Sequence, residues 1–267
     1  VNNDLLEKVM SKDGCNIHYW ISNQGKDSWL IWLHGAGADH KMFNEQIPVV
    51  DKAFNLLLWD ARGHGLSRPM GDKFSIKLLM EDLIEIMKIE GIEKATFVGQ
   101  SMGGNTAQEM AFYHPHKVEK LVLIDCTCNT MKLTAMERFY LYLTPLITRM
   151  YPWSNLVHAS VKASALQPHV QDYLQQTFNL IGKKDFVKIF LATAACLHYE
   201  EGYTINKPIL LVYGEHDQTG NIKKIAPSWA SSEPNCRLVE IANASHCANQ
   251  DNPSQFNTSL WEFLNDQ

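Results

Sequence analysis

A doubly wound α/β fold, with a mostly parallel sheet and a helical cap inserted into it, is the architecture these 267 residues predict. Three observations carry that expectation. Short runs rich in Val, Ile and Leu alternate with stretches whose apolar residues recur at helical spacing. Several of those runs are apolar without interruption, as strands covered on both faces require. The alternation then lapses between about 128 and 202, where the sequence turns helical without a convincing strand.

In chain order, strands are expected at 15–21, at 29–33 ahead of His34-Gly35-Ala36-Gly37, and at 54–59 ahead of Asp60-Ala61-Arg62-Gly63-His64-Gly65-Leu66-Ser67. Residues 75–90 then place Ile76, Leu79, Met80, Leu83 and Met87 on one helical face. Strand 95–98 leads into Gly99-Gln100-Ser101-Met102-Gly103, and the helix that follows carries Ala107, Met110 and Ala111 on one face. Strand 120–124 ends at Asp125, where the helical segment departs. Its Met and aromatic residues, among them Met131, Met136, Phe139, Tyr140, Phe178, Phe186 and Phe190, are expected mostly to pack helix on helix, with a few roofing an apolar pocket. Beyond it, 209–213 runs into Gly214-Glu215-His216-Asp217, and 237–241 into a loop carrying Ser245-His246. The last helix opens with Asn252 as N-cap and Pro253 in its first position, and buries Phe256, Leu260, Phe263 and Leu264. The expected division is core 1–127, cap 128–202 and core 203–267.

Composition narrows the function classes. At 45% hydrophobic residues the chain can bury one sizeable core plus an insertion. A net charge of -5 without long runs leaves no basic face for nucleic acid and no polybasic membrane patch. No apolar stretch is long enough to cross a bilayer, and Val1-Asn2-Asn3-Asp4 lacks the charged start and apolar run of a signal peptide. A cytoplasmic location without stable membrane anchoring is therefore expected. Six irregularly spaced cysteines, mostly inside apolar runs, read as small hydrophobes in a reducing compartment, and none has zinc-ligand spacing, so no metal is expected. Cys247 is expected to be a buried loop residue rather than a reactive thiol.

The chemistry centres on Gly99-Gln100-Ser101-Met102-Gly103. A serine on a sharp strand-to-helix turn needs flanking residues without a Cβ, and the turn pushes its hydroxyl clear of the sheet. A serine hydroxyl is a poor nucleophile unless a base lies within hydrogen-bond reach and a carboxylate orients that base. Both are available at later strand ends: Asp217 just past 209–213 and His246 past 237–241. Asp125 also follows a strand and stays a minority candidate for the acid, or else a residue that caps the sheet edge or the first turn of the cap.

With these blocks the chain resembles the α/β-hydrolases of the single-domain bacterial esterase and lactonase type, such as 3-oxoadipate enol-lactonases and small carboxylesterases, nearly end to end. The chain order Ser101, Asp217, His246 is the order that fold uses. The resemblance implies an oxyanion hole made by the backbone N–H groups of Ala36 and Met102, each worth roughly 3 kcal/mol when such a donor is lost. His34 and His64 are expected to fix loop geometry, and His216 to be a solvated neighbour of the acid. Asp60 and Arg62 are expected to bind each other or nearby backbone and so hold the loop of Gly63 and Gly65.

The function expected is a serine hydrolase acting on a small, largely apolar ester or lactone through an acyl-enzyme, with no cofactor. Two alternatives use the same triad, amide or imino-peptide hydrolysis and carbon–carbon bond hydrolysis. A peptidase would present cap carboxylates such as Glu137, Asp172 or Asp185 to a substrate amine. A third is a ligand-sensing signalling protein on the same fold, which would bind tightly but turn over at most once.

Overall fold

The computed structural model describes residues 5–266, so the opening Val1 to Asp4 that was compared with a signal peptide lies outside the described residues. The strands are β1 (Leu6–Lys12), β2 (Cys15–Ser22), β3 (Trp29–Leu33), β4 (Asn55–Trp59), β5 (Ala95–Gln100), β6 (Val118–Ile124), β7 (Ile209–Gly214) and β8 (Cys236–Ile241). They form one sheet in the order β1-β2-β4-β3-β5-β6-β7-β8. Strands β3 to β8 run parallel to one another, and β2 is antiparallel to both β1 and β4. Every residue of β4 and β5 is buried, which accounts for their mainly apolar sequences.

Strand β1 is absent from the sequence expectation. Only Met10 of its residues is buried, and Leu6 and Val9 are more than half exposed, so its apolar signal is thin. A turn signal was nonetheless present. Asp13-Gly14 joins β1 to β2, both residues have positive φ (48° and 73°), and an Asp-Gly pair at two such positions is what a tight hairpin requires.

Helices α1 (Ile47–Val50), α2 (Ile76–Ile89) and α3 (Met102–Tyr113) lie between the early strands. The stretch between β6 and β7 holds α4 (Ala135–Met150), α5 (Trp153–Ser164) and α6 (Pro168–Ala194), and α7 (Ile222–Ser232), α8 (Ala248–Asp251) and α9 (Pro253–Asn265) complete the chain. Helix α2 starts where the Ser75 hydroxyl accepts the Leu78 N–H at 3.1 Å, and it buries the stripe expected, with Ile86 added. Each such side chain contributes roughly 1.5–3 kcal/mol of burial free energy. Asn252 caps α9 by accepting the Gln255 N–H, with Pro253 behind it, and the four apolar residues expected to be buried are buried. Helix α3 has no single apolar face, because all its residues from Met102 to Ala111 are buried.

The helical insertion is built differently. No residue of α4 is buried, α5 buries only Val157 and Val161, and α6 breaks at Gly182, whose φ of 76° and ψ of 161° are not helical. Its two connections to the sheet run side by side: the N–H groups of His198 and Glu200 donate to the carbonyls of Asn129 and Thr130 at 2.8 and 3.1 Å.

One expected contact does not form. Asp60 and Arg62 do not pair with each other: the fully buried Arg62 guanidinium makes a two-point pair with Asp82 of α2, at 2.6 and 2.8 Å. Asp60 instead accepts the N–H of His40 (2.8 Å), the His40 ring (2.7 Å) and the N–H of Leu66 (2.7 Å). The loop is thus moored by separate anchors, one on a helix and one on the turn after β3, and backbone is what Asp60 does hold. Burial works against the Asp60 charge, but His40, with help from His34 and the Leu66 N–H, holds its carboxyl below the usual range.

Candidate active site

Ser101 stands between the end of β5 and the start of α3 with φ 49° and ψ -113°, a region L-residues avoid. The turn is held because the Ser101 N–H donates to the carbonyl of Ile124 at 2.8 Å, and its own carbonyl accepts the Asn105 N–H at 2.9 Å. Its glycines are required by close approach: a Cβ on Gly103 would overlap the Leu33 carbonyl of β3, and one on Gly99 the Gly103 carbonyl.

Three separated strand ends converge on this turn. Ser101 Oγ lies 2.9 Å from His246 Nε2, and His246 Nδ1 lies 3.1 Å from Asp217 Oδ2. Asp217 is buried, and its other oxygen accepts the Thr219 N–H at 2.7 Å. Burial alone would raise its carboxyl, but the charge and hydrogen bond of His246, with the Thr219 bonds, outweigh it and hold the group below the usual range.

Asp125 lies apart from this chain of contacts. It is fully buried at the end of β6, and its two oxygens accept the N–H groups of Gly214 (2.8 Å) and Ala248 (2.9 Å). Burial, reinforced by neighbouring Asp217, pushes its carboxyl well above the ordinary range. A group so placed joins the end of β7 to the start of α8 and makes no hydrogen bond to His246.

Ala36 borders the same cavity as Ser101, on a turn closed by the Ala38 N–H on the Gly35 carbonyl at 3.1 Å. Met102 is the first residue of α3, where a backbone N–H has no acceptor one turn back and the helix dipole is positive. His34 ties this loop to its neighbour: its Nδ1 is 2.8 Å from the Gly35 carbonyl, and its Nε2 accepts the Ala61 N–H at 3.0 Å. Burial drives the His34 ring down and that of His64 down to about 3, so both are neutral spacers rather than bases. His216 is half exposed beside Glu215, as expected. Cys247 is buried, and burial with the nearby Asp125, Asp251 and Asp217 carboxylates raises its thiol well above the ordinary range.

Several positioning contacts escaped the sequence reading. Gln100, one residue before Ser101, donates its side-chain N–H to the His246 carbonyl at 2.6 Å. Asp251 accepts the Ser245 N–H at 2.9 Å and the N–H groups of Leu166 and Gln167 at 3.0 Å, so it joins the His246 loop to the insertion. Tyr173 of α6 donates its hydroxyl to Asp39 at 2.8 Å and accepts the Asp39 N–H at 3.0 Å. The Phe178 ring lies where a Cβ on Gly37 would stand. Only the flanking glycines of the first contact had a signal in the sequence. Apart from Asp251 with Ser245, six positions away, the others join residues more than eighty positions apart.

Above the site is a cavity of about 620 Å³, floored by Ala36, Ser101 and His246 and walled by the insertion through Tyr140, Leu141, Phe178, Phe186 and Phe190. The Phe178 and Phe186 rings are 4.9 Å apart, and Trp153 backs Phe186 at 5.4 Å. Met136, Phe139, Met150 and Tyr151 are not among the lining residues. Glu137 is, but its carboxylate is engaged by the Thr134 N–H and hydroxyl and by Asn221 at 2.7–2.9 Å.

Comparison with known proteins agrees with this architecture. The family described as the alpha/beta hydrolase fold matches residues 28–152. The chain is 23% identical over 263 residues to 3-oxoadipate enol-lactonase 1 of Acinetobacter baylyi, covering 93% of this chain and 92% of that one. It is also 23% identical to the uncharacterized hydrolase YugF of Bacillus subtilis, covering 94% and 95% of the two chains. Among solved structures, the enol-lactonase from Burkholderia xenovorans LB400 superposes with a TM-score of 0.83 at 24% identity, over 97% of this chain and all of that one. Together with the sheet order and the strand-turn-helix at Ser101, these matches show the alpha/beta hydrolase fold, and the chain is similar along nearly its whole length to hydrolases of that fold.

Proposed function

We infer that this chain hydrolyses a carboxylic ester or lactone of a small, largely apolar substrate through an acyl-enzyme on Ser101. The observation that carries the reading is the run of contacts from Ser101 Oγ to His246 (2.9 Å) and from His246 to Asp217 (3.1 Å), opening into a cavity walled mainly by apolar side chains. As Ser101 Oγ attacks the substrate carbonyl carbon, His246 Nε2 takes the hydroxyl proton, and Asp217 holds the Nδ1 proton and offsets the imidazolium charge. The N–H groups of Ala36 and Met102 stabilise the carbonyl oxygen as it becomes an oxyanion. His246 returns its proton to the departing alkoxide, which in a lactone stays tethered to the acyl group. Water, activated by the same imidazole, then releases the acid and restores Ser101.

The occupied carboxylate of Glu137 argues for this reading over amide substrates with a free amine. Of the cap carboxylates a peptidase would offer, it is the one that lines the cavity, and both its oxygens are already committed to Thr134 and Asn221. A carboxylate with its acceptor sites filled is a poor receiver for a substrate ammonium.

Mass spectrometry after treatment with a fluorophosphonate is expected to find one adduct, on the peptide containing Ser101. Turnover of p-nitrophenyl butyrate and of simple lactones should persist over many cycles and fall by at least about a thousandfold in Ser101→Ala. An adduct elsewhere with Ser101 unmodified, or a single slow turnover of every substrate, would overturn the assignment.

A further inference from the structure

We propose that the outer face of α4 docks on an anionic lipid bilayer, so that one wall of the cavity sits at a membrane surface. Helices α5 and α6 bury some of their apolar side chains, but α4 buries none. Met136, Phe139, Leu146, Ile147 and Met150 follow one another at helical spacing, and each is more than half exposed, Met150 to 76%. Of the cavity-lining residues of the same helix, Glu137, Leu141 and Thr144 fall on a different side and Tyr140 at the boundary, and none of the five stripe residues lines the cavity. Soluble proteins rarely leave a contiguous apolar stripe bare unless something covers it.

Charge decides what covers it. The chain as a whole is acidic, with a formal net charge of -5, yet residues 129–164 carry Lys132, Arg138, Arg149 and Lys162 against Glu137 alone. Glu137 is turned to the cavity and engaged there by Thr134 and Asn221. Arg138 and Arg149 are three helical turns apart, so they share one flank of α4, and both are exposed. Lys183 joins them at the C-terminal end of α4, where its ammonium donates to the carbonyls of Arg149 and Tyr151 at 2.9 and 2.7 Å. The sequence holds no run of basic residues, and it is the helix that lines these up. An apolar stripe with arginines along its flank suits a helix lying in the headgroup layer of anionic lipid, where long basic side chains reach up to phosphates while the stripe enters the acyl boundary. A second copy of this chain fits less well, because pairing the same face on itself would bring the arginines of the two helices together.

The mounting of α4 suits such a surface. It has no buried residue and packs chiefly on α6, and its ends are tied by the Glu137–Asn221 contact and by Lys183. Docking would thus bear on a thin element that forms one wall of the cavity, without disturbing the buried sheet. It does not depend on the ester or lactone reading, since no catalytic side chain takes part.

The test is co-sedimentation of the full chain with vesicles of phosphatidylcholine mixed with phosphatidylglycerol, and with phosphatidylcholine alone. Binding is expected to the mixed vesicles, to fall as salt is added, and to survive in Ser101→Ala. Arg138→Gln with Arg149→Gln should weaken it roughly twenty-fivefold, taking about fivefold for each charge near the surface. Phe139→Ser, Leu146→Ser and Met150→Ser together should abolish it while leaving thermal stability and hydrolysis of a short soluble ester near wild type. In Phe139→Trp, the tryptophan emission should shift to the blue when mixed vesicles are added. Absence of sedimentation and of the blue shift in folded protein would overturn the proposal, as would binding undiminished by the serine substitutions. A wild-type dimer that the serine substitutions convert to monomer, with vesicles ignored, would assign the face to a second copy instead.

Discussion

Ser101 and α4 face each other across one cavity and are held by opposite means. The serine turn is fixed from several sides: by β5 and α3, by the Ile124 carbonyl, and by glycine contacts that tolerate no added atom. The helix opposite is held by contacts at its two ends and by packing on α6. Chemistry that needs atoms placed to within a few tenths of an ångström sits where backbone and core leave no freedom. The proposed recognition of an acyl group or a surface needs less, and would sit on the loosely mounted side, where sequence can change without unfolding the sheet.

The sharpest way to break that contrast is at the two buried aspartates, 217 and 125, which end neighbouring strands. Asp217→Asn is expected to lower kcat by about 10³ to 10⁴, because the amide favours the wrong imidazole tautomer and cannot offset its charge. Asp125→Asn should leave kcat within a few-fold and appear in unfolding experiments instead, at about 1–3 kcal/mol, since one of its two backbone N–H partners loses its acceptor. The sign of its pH dependence follows from the raised carboxyl. Above the ordinary aspartate value of 3.8 the unfolded chain gives up this proton while the folded chain keeps it, so wild type loses stability as pH rises toward the native value. Asparagine has no such loss, so the cost of Asp125→Asn should be greatest at and below the unfolded value of 3.8 and shrink as pH rises above it. The reverse ranking of the two kcat values would move the orienting acid to the end of β6.

The same contrast explains what could be read before the fold was known. Glycines, strand runs and the residues just past strand ends leave strong local marks, so Ser101, Asp217 and His246 could be singled out and the parallel sheet expected. The Asp13-Gly14 hairpin was equally local, but β1 is an edge strand with one buried residue, and its apolar alternation is too weak to be noticed. Of the two outcomes expected for Asp60 and Arg62, a mutual pair or contacts to nearby backbone, the second is found, and the pair is absent because Arg62 reaches a carboxylate twenty positions on, in a helix. Which insertion residues would line the cavity was not readable at all. Phe178 and Phe186 on α6 and Phe139 on α4 look alike in sequence, and only the bend at Gly182 and the orientation of α4 separate lining from exposure.

The insertion should set substrate preference. Phe186→Ala removes a ring that lines the cavity and packs on Phe178 and Trp153, and Phe190→Ala removes a half-exposed one. Comparing kcat/KM for p-nitrophenyl acetate and hexanoate, Phe186→Ala is expected to change their ratio by roughly 10- to 100-fold, the range of apolar contact discrimination, and Phe190→Ala by less. An unchanged ratio with lowered stability would make both rings part of helix packing alone.

The smallest effect expected is also the one that joins the two regions. Tyr173 is on α6, yet both its hydroxyl contacts are with Asp39, three residues beyond Ala36 and at the edge of the loop that would present the oxyanion donor. Tyr173→Phe keeps the buried ring and removes only the hydroxyl, so the loop loses a donor to its carboxylate and an acceptor for its N–H. Because Asp39 also accepts the Lys41 N–H at 3.0 Å, the loop should loosen rather than collapse. The expected result is a fall in kcat of about three- to tenfold with KM little changed, since misplacing a donor weakens the transition state more than the bound ester. A merely structural tyrosine would lower the melting temperature and leave kcat alone. If it does, the oxyanion loop is held by β3 and His34 without help from the insertion, and the rigid and loose halves of the cavity are independent.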